Sequence, residues 1–102
     1  MLTYEKLKEI LDQSGWNWSF LVFNEPQVTP YLILRMDDSQ NVLSDLHFHR
    51  QIDTFTLEFY YRDLQDRFDF EKWLAKNNFL WQRVSTDNSI GQDGVYVSYY
   101  EI

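Results

Sequence analysis

The chain has no cysteine. That removes disulfides, a thiolate nucleophile and any cysteine-ligated zinc site in one step. Glycine and proline are scarce, at three and two, which leaves little room for long disordered linkers. No apolar run approaches the roughly 20 residues that a membrane-crossing helix needs. The opening residues read as a charged helix and not as a secretory leader, so a cytosolic protein is expected. Positive charge is the fourth shortage. Nine Lys and Arg stand against 16 Asp and Glu, a formal net charge of -7. Such a balance disfavours binding to phosphate backbones. It suits a protein that stays soluble before assembly, a passage that DNA slides through without sticking, or an imitation of DNA.

What the chain does have is aromatic surface. Four Trp, seven Tyr and eight Phe make up 19% of the 102 residues. That length predicts one domain spanning 1–102, with one hydrophobic core. Nineteen large rings are more than a core of this size easily hides, so some are expected to face a partner.

Periodicity predicts two helices. Tyr4, Leu7, Ile10 and Leu11 recur at helical spacing after a Thr3 cap, and Gly15 ends the run, giving a helix over 4–14. Phe70, Trp73, Leu74 and Asn77 share a second stripe, capped by Asp66 and stopped at Asn77-Asn78. Strands are expected over 18–23, 31–36, 42–49, 54–61, 79–86 and 95–102. The segment 31–36 is almost wholly apolar and reads as an interior strand. In 54–61, Phe55, Leu57, Phe59 and Tyr61 alternate against Thr54, Thr56, Glu58 and Tyr60. Residues 37–41 read as a polar turn, and 87–94 as the loop of a closing hairpin. The last strand, with nothing after it, reads as a sheet edge or as a surface for another subunit. The expected architecture is α+β, in the order α-β-β-β-β-α-β-β. A single, mostly antiparallel sheet of about six strands would carry both helices on one face.

No set of residues forms a catalytic pattern. His47 and His49 lie two apart on a predicted strand, but no third metal ligand accompanies them. Asp37-Asp38 lacks the spacing of a calcium loop and fits the turn. Gly91-Gln92-Asp93-Gly94 sits between strands, with an acid and no lysine, unlike a phosphate loop. The serines lack a nucleophile-elbow setting. No enzyme, cofactor or metal is expected. The residues singled out for subunit or partner contact are Asp37, Asp38 and Asn41 of the turn, Trp16 and Trp18 beside Gly15, and Tyr96, Tyr99 and Tyr100 of the last strand.

The opening Leu2-Thr3-Tyr4-Glu5-Lys6-Leu7-Lys8-Glu9-Ile10-Leu11-Asp12-Gln13-Ser14-Gly15 resembles small structural proteins from the head-tail gene cluster of long-tailed phages and prophages of Gram-positive bacteria. These are similar to tail terminator, or tail completion, proteins. The resemblance continues through Pro30-Tyr31-Leu32, Leu57-Glu58-Phe59-Tyr60-Tyr61, the Asp-containing connector before the second helix, and Tyr99-Tyr100-Glu101. Trp16-Asn17-Trp18 and Trp81-Gln82-Arg83-Val84 depart from it. The resemblance implies an α+β subunit of a homo-oligomeric ring, typically a hexamer. The ring caps the head-proximal end of the tail tube and joins it to the head connector. Its partners would be copies of itself, the major tail tube protein and the connector, with DNA passing through unbound and no membrane involved. Its place would be the virion tail, after assembly in the host cytoplasm. The alternative is a small acidic binder, a DNA mimic that blocks a host nuclease or defence protein.

Overall fold

A computed structural model describes residues 3–44, 47–87 and 94–102, with side chains over 3–36, 55–83 and 94–102. The first helix, α1 (Tyr4–Asp12), starts where Thr3 turns extended and accepts the Lys6 amide at 3.2 Å. This satisfies one of the donors that a helix start leaves open. Leu7 and Leu11, one turn apart, are completely buried. Gly15, in the left-handed region at φ 89, redirects the chain after the helix. The second helix, α2 (Leu64–Lys76), is capped by Asp63, whose side chain accepts the Gln65 amide at 2.9 Å. The expected cap, Asp66, instead lies within the first turn, where its charge complements the positive end of the helix. Asn78, at φ 62, follows the helix as its Asn pair predicts.

Among the described residues, five strands follow the order β1 (Asn17–Phe20), β2 (Tyr31–Ser44), β3 (His47–Tyr61), β4 (Gln82–Asp87) and β5 (Tyr96–Glu101). They form one mixed sheet in the order β1-β2-β3-β5-β4. The α+β class holds, with both helices on one face. Three expectations are corrected. First, 37–41 is not a turn, and 42–49 is not a separate strand. β2 runs on through 37–44, absorbing the polar stretch in a bulge between Asp37 and Gln40, and 47–49 open β3, so five strands and not six stand among the described residues. Asp, Ser and Asn favour turns, but a bulge also accommodates an irregular pair of residues without ending the strand. Second, β1 pairs with β2 in parallel. The ten-residue crossover 21–30 lets the chain return to the same end of the sheet. Leu21 leaves β1 at φ 69, its amide held by the Leu34 carbonyl at 2.9 Å. Third, β5 is no edge. It lies between β3 and β4 and pairs with both. Val97, Ser98 and Tyr100 are buried on both sides of that strand, the mark of an interior position.

The core lies between helices and sheet. Phe70 of α2 is its hub: it stacks on Phe59 of β3 at 4.4 Å between ring centroids and meets Trp16, Trp73 and Tyr100 within 5.1–5.7 Å. Such pairs contribute beyond the area they bury. Replacing Phe70 by alanine is expected to lower the unfolding free energy by about 3–5 kcal/mol in denaturant melts. Val28→Ala, at a side chain 85% exposed, is expected to change it by no more than about 0.5 kcal/mol.

Candidate interaction face

The register builds a second surface, opposite the helices, in three cross-strand rows. Tyr31, Tyr60 and Val97 form the first, Ile33, Glu58 and Tyr99 the second, and Arg35, Thr56 and Glu101 the third. Glu58 is at the centre. Although neither helix lies on this face, Glu58 is only 4% exposed, because neighbours stand on every side of it.

A carboxylate so enclosed requires partners, since an unpaired buried charge is costly. Glu58 has two. Arg35, diagonally across the strand pair, places its Nε on Glu58 Oε2 as a hydrogen-bonded ion pair. The Tyr60 hydroxyl donates to Oε1 at 2.7 Å. Tyr60 in turn stacks nearly parallel on Tyr31, with ring centroids 4.7 Å apart, and Phe23 of the crossover meets Tyr31 edge-on at 5.5 Å. The electrostatics follow from this arrangement. Burial, the hydrogen bond to Glu58 and the Glu58 charge push the Tyr60 hydroxyl well above the ordinary phenol value. Burial, then the same charge, raises Tyr31. The hydrogen bond to Glu58 holds the Arg35 guanidinium above its usual value. Arg35 nevertheless keeps 48% of its side chain exposed. The face thus offers phenol rings and the half-exposed Arg35 cation, held from beneath by a buried anion, with Glu101 exposed in the same row as Arg35.

The helix side has a matching anchor. Glu71 of α2 accepts from the Tyr100 hydroxyl at 2.6 Å and from Arg83 Nη1 at 2.9 Å, tying the helix to β5 and β4. Burial first, then the bond to Glu71, raises the Tyr100 hydroxyl far above its ordinary value.

The residues singled out from sequence are scattered over this framework. Trp16 is half-buried against Phe59, Phe70 and Trp73. Trp18 packs on the same core, and its Nε1 donates to Asp12 at 2.9 Å. Tyr100 is completely buried inside the protomer. Tyr96 is 36% exposed and stacks on Tyr61 at 5.9 Å. Only Tyr99, beside Glu58, belongs to the three-row surface. Asp37, Asp38 and Asn41 lie on the outer part of β2, and His47 and His49 on the outer part of β3, with side chains outside the described residues. The expected loop 87–94 falls mostly outside them too. Among the described residues, no three His, Cys, Asp or Glu converge as metal ligands, and no helix is long and apolar enough to cross a membrane.

Arg35, Glu58, Tyr60 and Tyr31 escaped sequence reasoning as a group. The one available signal was a lone Glu between Thr56 and Tyr60 on the polar side of an alternating strand. No protein-family model and no curated protein matches the chain.

Removing Arg35 leaves Glu58 enclosed with one partner fewer. Arg35→Ala is expected to cost about 1–3 kcal/mol. In a double-mutant cycle with Glu58→Gln, the paired loss should fall short of the sum by at least about 0.5 kcal/mol. The tyrosines predict an alkaline limit. Tyr60 and Tyr100 titrate above 10.0 when folded, so the unfolded chain loses those protons first. Their contribution is therefore fully present below about pH 10 and is lost as the pH rises beyond it. Denaturant melts should show stability falling above about pH 10, less steeply in the Tyr60→Phe, Tyr100→Phe double variant.

Proposed function

We propose that this chain is a tail terminator subunit of a long-tailed phage or prophage. Copies close into a ring, hexameric on the tail, at the head-proximal end of the tube. One face of the ring meets the major tail tube protein and the other the head connector. DNA passes through without specific binding. The chain folds in the host cytoplasm and ends in the virion tail. Its work is docking, with no reaction and no cofactor.

The observation that carries this reading is the outer half of the β2–β3 hairpin. β1 pairs with β2 only as far as Leu34, and β5 pairs with β3 only from Thr56 onward. Beyond those points, 37–44 and 47–54 pair with each other alone among the described residues. They form a two-stranded ribbon roughly 25 Å long. A lone ribbon is marginal in water without a third strand or a helix against it. A protein that projects one gains from a neighbour that covers it. The net charge of -7 also favours a ring that DNA does not adhere to, and the sequence resemblance names the assembly. A DNA mimic would carry carboxylates at phosphate-like intervals. The described second face instead holds two carboxylates, Glu58 enclosed and paired with Arg35, and Glu101 exposed in the third row.

The test combines light scattering with electron microscopy of the chain mixed with purified tail tubes. The expected result is density at one tube end and tubes of fixed length. A chain that stays monomeric at every concentration and never binds a tube end would refute the proposal.

A further inference from the structure

We infer that neighbouring copies of this chain join through two unlike patches on opposite edges of the sheet, the 21–30 crossover of one copy seating in a groove at the α1–β4 corner of the next. The contact rests on the ring reading for its biological setting, but its chemistry stands on the surface itself. The crossover follows the edge strand β1 and presents Leu21, Val22 and Val28 at 47%, 63% and 85% exposure. Three apolar side chains so open to water within one short segment suit an interaction site. Within 21–30, Glu25 is the only charged residue.

The groove lies beside the start of the other edge strand, β4. It measures about 390 Å³, with an apolar wall of Ile10, Phe79, Leu80 and Ile102. Leu80 is 96% exposed. Lys6 is the only charged side chain that lines it. An exposed apolar segment with one anion is therefore offered to an apolar groove with one cation. The neighbouring hollow continues past Trp81 and Gln82 to Glu101, whose charge repels an anion from that end and directs Glu25 toward Lys6. Because the two patches differ, each docked copy leaves one of each free, which generates a ring or a filament and not a closed two-fold dimer.

The absence of cysteine makes the test clean. In a Val28→Cys, Leu80→Cys double variant, mild oxidation should give a ladder of trimers and larger species at least about tenfold stronger than in a Val28→Cys, Phe68→Cys control, whose second cysteine is exposed but does not line the groove. Glu25→Lys should lower the ladder yield roughly fivefold, and adding Lys6→Glu should restore it. A ladder no stronger than the control's, or a charge swap that fails to restore it, would overturn the contact. The two proposals fail separately. A chain that caps tube ends but forms no ladder loses this contact and keeps its function, while a ladder from a chain that ignores tube ends does the reverse.

Discussion

The stacking of Phe70 on Phe59 joins the two layers, and the rest of the structure depends on it. It fixes how far α2 stands from β3 and gathers Trp16, Trp73 and Tyr100 around one point. Once that face is filled, the helices leave the opposite face to the sheet's own side chains. Glu71 reinforces the arrangement by holding β4 and β5 to the same helix. Much of the aromatic surface that composition assigns to partners is taken up in this way.

The second face solves a different problem. A carboxylate at the middle of three strands would be expensive if it faced water on one side and apolar rings on the other. Arg35 and Tyr60 make it tolerable, and both are held in place by doing so. The resulting surface carries three tyrosines and one arginine, residue types that partner-binding surfaces favour. Past this patch the sheet thins to the two-stranded ribbon, so each strand there has fewer paired neighbours among the described residues.

Local chemistry was legible in the sequence, and pairing was not. Thr3, Gly15 and Asn77-Asn78 announced helix ends, and Phe55, Leu57, Phe59 and Tyr61 announced the core side of β3, because each signal sits within a few residues. Asp37 to Asn41 misled because a turn and a bulged strand use the same polar residues. The placement of β5 between β3 and β4 depends on contacts across some forty residues, which no local pattern encodes. The same limit hid the Glu58 arrangement: Arg35 becomes its neighbour only when Leu34 is set opposite Leu57. Tyr100, read as an outward ring, turned inward for the same reason.

The central claim is that the protomer is complete beneath its helices and incomplete along its outer hairpin. Hydrogen exchange on the isolated chain and on the chain mixed with tail tubes, the partner proposed for it, tests it most directly. In the isolated chain, the amides of 37–44 and 47–54 should exchange faster than those of β3 that pair with β5, and they should slow about tenfold or more on the tube. Equal protection of both regions in the isolated chain, unchanged on mixing with tubes, would contradict the account.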